Sequence, residues 1–113
     1  MAGRQELAAH GEETVAERYR SGGFEVVARN WRCPRGELDL VLRRGDLVVV
    51  CEVKTRSSTA FGAPVEAVTP AKQARVRRAA ARWLEESPRH AGVVRFDVAS
   101  VLGDVVEVVE GAF

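Results

Sequence analysis

The stretch LVVVCEVKTR, residues 47–56, changes character halfway. Leu47 to Cys51 is an unbroken apolar run, whereas Glu52, Lys54 and Arg56 alternate with Val53 and Thr55. A short apolar run rich in β-branched residues reads as a strand buried on both faces. The second half needs another explanation, because charges of opposite sign are costly to bury unless they are paired. Side chains alternate along a strand, so Glu52 and Lys54 share one face while Cys51 and Val53 share the other.

The segment before it, ELDLVLR at 37–43, also alternates. Glu37, Asp39 and Val41 are expected on one face, with Leu38, Leu40 and Leu42 on the opposite one. Only the turn signal RRGD, 43–46, separates the two segments, so they are expected to form an antiparallel hairpin. A two-residue turn, Arg44-Gly45 or Gly45-Asp46, puts Asp39 on the face of Glu52 and Lys54, and the turn at Gly45-Asp46 places it directly opposite Glu52. A three-residue loop without a bulge puts them on opposite faces, so the inference depends on register.

In the first register, two carboxylates and an ammonium meet on one patch. Neighbouring carboxylates raise each other's pKa, and a divalent cation removes the conflict. Hard oxygen ligands of this kind suit Mg²⁺ or Mn²⁺, which keep waters and also bind phosphate. Such a cation lowers the pKa of water and stabilises charge developing on a phosphate. The patch therefore fits metal-assisted phosphodiester hydrolysis. The same Glu-x-Lys spacing also describes a solvated, salt-bridged strand end. Asp39, held between two leucines, shifts the balance towards chemistry, since a lone acid in an apolar strand is costly to desolvate.

The rest of the chain supplies a frame for this hairpin. Residues 4–20 carry Leu7, Ala8, Gly11, Val15 and Tyr19 at helical spacing, and Ser21-Gly22-Gly23 ends that helix. FEVVARN, 24–30, reads as a strand, followed by the breaker cluster RCPRG at 32–36. SSTAFGAP, 57–64, reads as a loop, and the segment 57–68 is long enough to be functional. A second helix starts with Thr69 as N-cap and Pro70 at its first position, and stops before Pro88. VVRFDVASV, 93–101, and DVVEVVEG, 104–111, form a second hairpin turning at Gly103-Asp104. The expected fold is α/β (α+β): one domain over 1–113 with a central mixed sheet of about five strands flanked by helices.

Composition narrows the function classes. The chain has 113 residues, 46% of them apolar, and a net charge of +1, so any case for nucleic acid rests on local patches. Two lone cysteines, Cys33 and Cys51, make neither a disulfide framework nor a zinc site. The charged opening MAGRQELAAHGEE lacks the apolar core of a signal peptide, and no apolar run approaches transmembrane length. A cytoplasmic protein without a membrane partner is expected. The second helix carries Lys72, Arg75, Arg78 and Arg82 within an arc of about 120°, with Val76, Ala80, Trp83 and Leu84 on the other side. Such a stripe suits phosphate-backbone contact, and equally describes an arginine-rich surface. Glu6, Glu13 and Glu17 fall within about 40° of each other on the first helix, the pattern of a solvated acidic stripe.

GELDLV followed by VVVCEVKTR resembles the motif pair of the PD-(D/E)xK nuclease superfamily. More narrowly, the chain resembles the bacterial YraN family of predicted endonucleases, related to archaeal Holliday-junction resolvases. GEETVAERY resembles the family's first motif, which places its glutamate at Glu13, three residues before Ala16, with Glu12 standing where glycine is usual. ARNWR (28–32), FGAPVEAV (61–68), Lys72, RFDV (95–98) and the closing Ala112-Phe113 match further family segments. The literal Pro-Asp is replaced by Leu38-Asp39, and Cys51 stands for a larger apolar residue.

The resemblance implies a restriction-endonuclease-like core and a Mg²⁺- or Mn²⁺-dependent endonuclease acting on DNA in recombination or repair. It implies Asp39 and Glu52 as metal ligands, with the Val53 carbonyl and Glu13 completing the shell and Lys54 addressing the attacking water. Arg56, Lys72, Arg75, Arg78 and Arg82 would contact DNA, by analogy branched or structured, and a homodimer would make paired cuts. The competing reading is a non-catalytic nucleic-acid-binding accessory protein that keeps the fold.

Overall fold

The computed structural model describes residues 3–56 and 68–113. Seven elements follow in chain order: α1 (Arg4–Ser21), β1 (Glu25–Cys33), β2 (Gly36–Arg44), β3 (Leu47–Arg56), α2 (Pro70–Glu86), β4 (Val93–Leu102) and β5 (Val105–Val109). The loop expected from residue 57 lies outside the described residues up to Val68. β1 runs three residues beyond the expected end, through Trp31-Arg32-Cys33, because the breaker acts only at Pro34-Arg35, a tight turn into β2.

The five strands lie in the sheet in sequence order. β1–β2, β2–β3 and β4–β5 are antiparallel, while β3 and β4 run parallel. A parallel pair needs a crossover, and α2 lies within it. Its start follows the sequence signal: Thr69 Oγ1 accepts from the Lys72 amide at 3.3 Å and Pro70 occupies the first turn. α1 ends at Gly22-Gly23, where the amides of Gly22 and Phe24 both donate to the Tyr19 carbonyl. Gly23 has φ +88°, a conformation that glycine adopts without strain.

The two helices cover opposite faces of the sheet. Val15, Ala16 and Tyr19 of α1 pack on Leu40, Leu42, Val49, Cys51, Ala99 and Val101. Val76, Ala79 and Ala80 of α2 pack on Leu38, Val41, Val48 and Val50, with Trp31 and Trp83 partly buried at the margin. The apolar half of β3 is therefore buried on both sides, as its composition predicts. α1 reaches the far end of β3 because residue 11 is glycine: a Cβ there would run into Thr55 Oγ1.

The expected shared face of Leu38, Leu40 and Leu42 is corrected. Leu40 and Leu42 face α1, but Leu38 joins the α2 side. The alternation slips at Asp39. On the neighbouring strand, Arg29 pairs with Leu40 and Trp31 with Leu38, and Asn30 between them has φ +47°. Asparagine is among the few non-glycine residues that tolerate this left-handed region.

Asp97 pins the α1 side. It is fully buried and accepts from Tyr19 Oη at 2.6 Å, Arg95 Nε at 2.9 Å, Arg95 Nη2 at 3.0 Å and the Gly111 amide at 3.0 Å. Tyr19→Phe keeps the shape but removes the shortest of these bonds. The expected loss is about 1.5–3 kcal/mol of unfolding free energy, as for buried hydrogen bonds to charged groups. Urea unfolding monitored by Trp31 and Trp83 fluorescence measures it.

Candidate functional site

The turn between β2 and β3 decides the site. Arg44 pairs with Leu47, leaving Gly45-Asp46 as a two-residue turn, and the register runs to Leu40 opposite Cys51. One step further, Asp39 stands opposite Glu52. The amide of Val53 donates to Asp39 Oδ2 at 2.8 Å. The Asp39 amide in turn lies on the side of the Glu52 carboxylate and favours its charged form. A side-chain acceptor thus takes over from the main chain on β2 at the point where the regular ladder ends.

Burial makes this pair unusual. Glu52 is 4% exposed, and its Oε2 has no hydrogen-bond partner among the described residues. Desolvation, with the Asp39 charge as the second cause, raises its pKa to about 7 against hydrogen bonding from Asp39 and attraction to Lys54 and Lys72. Asp39 is also raised, chiefly by burial, despite the Val53 amide and the Lys54 charge. Lys54 is half-buried, and burial followed by the neighbouring Lys72 lowers its pKa. A buried acid carrying an unpartnered oxygen beside a second acid is a poor salt-bridged edge and a good half-shell for a cation.

Two clefts open on this centre from opposite sides of the sheet. One, about 870 Å³, is lined by Arg32–Glu37, Asp39, Glu52, Val53, Lys54, Lys72, Arg75 and Val76. The other, about 1490 Å³, lies along α1 and includes His10, Glu12, Asn30, Asp39, Lys54 and Arg56. Asp39, Val53 and Lys54 border both clefts.

Asp39, Glu52, Val53 and Lys54 are brought together. Glu13 is not among them: it is exposed and ion-paired with Arg20 at 3.0 Å and Arg29 at 2.6 Å. Its carboxyl is held low by those guanidinium groups, Arg29 first. The acid that α1 presents to the site is Glu12, one residue earlier, half-buried and raised in pKa by desolvation, with Asp39 adding repulsion. The signal for it lay beside it, in Gly11, whose missing side chain lets this turn approach Thr55.

The basic stripe divides. Lys72 and Arg75 line the α2-side cleft, while Arg78 and Arg82 do not, and Arg82 pairs with Glu86 at 3.4 Å. Arg77 stacks over Phe96 at 4.8 Å and so belongs to the packing. Arg56 borders the α1-side cleft, with Nε and Nη1 unpartnered among the described residues. Arg32 and Arg35 add positive charge at the rim, Arg32 being 3.5 Å from Glu37.

Comparison with known sequences places this site in a family. The profile described as uncharacterised protein family UPF0102 matches residues 11–101. The chain belongs to the UPF0102 family. This is the YraN family of nuclease-like proteins, so the motif resemblance and whole-chain similarity agree. The chain is 56% identical to the UPF0102 protein of Beutenbergia cavernae over 90% of its own length and 86% of that protein. It is 51% identical to a UPF0102 protein of Frankia alni, covering 100% of this chain and 98% of the relative. Similarity to the Acidothermus cellulolyticus UPF0102 protein is 44% over 97% and 95% of the two chains. No helix among the described residues is long and apolar enough to cross a membrane.

Among the described residues, no three Asp, Glu, His or Cys side chains converge as a closed metal cage. The donor set here is two carboxylates, open on the cleft side. That composition fits Mg²⁺ or Mn²⁺, which take few protein ligands and keep waters or phosphate oxygens, and Glu52 Oε2 is a buried oxygen without a partner among the described residues.

A raised acid makes the bare protein sensitive to pH. Glu52 favours its neutral form when folded, so its contribution to stability is complete at acid pH and is lost as pH rises towards about 7. In EDTA, wild type should lose on the order of 2 kcal/mol more than Glu52→Gln between pH 5 and pH 8. Urea midpoints of both proteins at the two pH values give the comparison.

Proposed function

We propose that this protein is a divalent-cation-dependent DNA endonuclease. The observation that carries the reading is the buried Glu52 carboxylate, opposite Asp39 and beside Lys54, with one oxygen unpartnered at the wall of a basic cleft. Asp39 and Glu52 would hold Mg²⁺ or Mn²⁺, with the Val53 carbonyl as a further donor. When bound, the cation supplies Lewis acidity at the phosphate and makes water a stronger acid.

The chain's own residues do the rest. The Val53 amide fixes Asp39 Oδ2, so the carboxylate is preorganised rather than ordered by substrate. Lys54, on the same strand face as Glu52, holds the attacking water in line with phosphorus. Its lowered pKa suits proton exchange with that water. Lys72, Arg75, Arg32 and Arg35 receive phosphate groups in the α2-side cleft, Arg78 and Arg82 extend that track, and Arg56 meets the strand on the α1 side. Glu12 takes the role that the motif resemblance gave to Glu13, approaching the centre from α1.

The clefts on two sides of one centre support a branched or structured DNA substrate, with segments leaving the scissile phosphate in two directions. Two cuts in opposite strands require two such centres, which a two-fold homodimer provides. The protein would be cytoplasmic, where its DNA substrate lies.

Cutting of a labelled four-way junction and of its linear duplex, with Mg²⁺, Mn²⁺ or EDTA, tests the proposal. Metal-dependent cutting is expected for wild type, with a loss of about 10²-fold or more in Asp39→Asn, Glu52→Gln and Lys54→Ala. Lys54→Ala should still bind DNA. Cutting that persists in EDTA, or that survives Asp39→Asn, sinks the reading. Arg75→Glu with Arg78→Glu should weaken DNA binding at least tenfold, by roughly the loss of two phosphate contacts, and flatten its salt dependence. Fluorescence anisotropy across a salt series reads both quantities.

A further inference from the structure

Lys72 differs from every other cation of α2. It sits in the first turn, half-buried, and lines the same cleft as Asp39, Glu52 and Lys54. Its backbone is fixed from both sides of the turn: its amide bonds Thr69 Oγ1 at 3.3 Å, and the Gln73 side chain bonds the Val68 carbonyl at 3.0 Å. It borders the cleft together with Lys54, whose pKa its charge lowers, and that charge also acts on both acids. Arg78 and Arg82, further along the helix, are exposed and border neither cleft.

Charge counting assigns a use to this arrangement. With a cation holding both acids ionised, Asp39 and Glu52 would carry two negative charges, and Lys54 and Lys72 two positive ones. Glu37 on the rim is offset by Arg32, Glu12 in the α1-side cleft is offset by Arg56, and the exposed Arg35 and Arg75 are screened by solvent. A divalent cation then leaves the centre near +2. A phosphodiester enters with one negative charge and gains a second as the nucleophile adds. A centre at +2 matches the reacting state better than the bound substrate, which is the condition for faster chemistry rather than tighter binding. With Lys72 removed, the centre matches the substrate instead.

Resting on the nuclease reading above, we propose that Lys72 is a second catalytic lysine, contacting a non-bridging oxygen of the scissile phosphate from α2 while Lys54 addresses the water from β3. Of the phosphates received in that cleft, Lys72 takes the scissile one, whereas the arginines that follow it contact the flanking backbone.

The test compares Lys72→Ala, Lys72→Arg and wild type. Single-turnover cutting at saturating DNA should fall about 10²-fold in Lys72→Ala, the usual cost of one donor at a developing charge. DNA affinity measured with Ca²⁺ should change less than about threefold, one contact among several, and Lys72→Arg should recover part of the rate. A rate loss that disappears at saturating DNA overturns the proposal, because Lys72 would then be a tether. A second readout needs no cutting. Mn²⁺ titration without DNA should show Lys72→Ala binding the ion at least about threefold more tightly, since a cation has been removed from beside its ligands. Unchanged Mn²⁺ affinity places Lys72 outside the centre and overturns the proposal. If wild type binds Mn²⁺ but cuts no DNA, the nuclease reading falls while the Mn²⁺ shift still judges the position of Lys72. If wild type binds no Mn²⁺, both fall.

Discussion

The amide of Val53 donating to Asp39 Oδ2 at 2.8 Å is the bond around which the site is arranged. It occurs where the β2–β3 ladder stops pairing main chain with main chain. A carboxylate replaces the carbonyl that a regular sheet would offer, so Asp39 is anchored by the backbone of the other strand while Glu52 keeps an oxygen unpartnered. Like charges held this close are costly in a buried setting, and the protein bears the cost as raised pKa values at both. Strain of this kind at one end of a well-packed sheet is the usual mark of a functional site.

The rest of the fold keeps that junction rigid and open. β3 is held on both faces by aliphatic packing, so its polar end is a fixed extension of the core. The Tyr19–Asp97–Arg95 network locks α1 to β4, and Gly11 lets the same helix close on Thr55. α2 brings Lys72 and Arg75 to the opposite side by way of the parallel crossover. The chemistry-bearing residues thus sit on three separate elements whose mutual positions are set by packing away from the site.

Much of this was legible from residue pattern. The helix and strand order, the caps at Thr69-Pro70 and Gly22-Gly23, the tight turn at Gly45-Asp46 and the burial of Leu47–Cys51 all follow from local stereochemistry and hydrophobic period. So did the association of Asp39, Glu52 and Lys54, because strand alternation and a two-residue turn act over short range. The face of Leu38 did not follow. Strict alternation holds only for a regular strand, and here it slips beside the left-handed Asn30 of the adjacent strand. Nor did Glu12. The helical period puts Glu13 in a solvated acidic stripe and only the motif resemblance singles it out, while which of two neighbouring acids faces inward depends on the rotation of α1 about its axis, which Gly11 and Tyr19 set through contacts with β3 and β4.

By itself, the sequence determined the elements, their order and the acid–acid–lysine hairpin, since each depends on interactions between residues close along the chain. The tertiary structure alone decided that Glu52 is buried with an oxygen unpartnered, that Asp39 is reached from two sides, and that Lys72 joins Lys54 while Arg78 and Arg82 do not. Those properties depend on desolvation and charge proximity between α1, the sheet and α2, and neither quantity exists until the helices are packed.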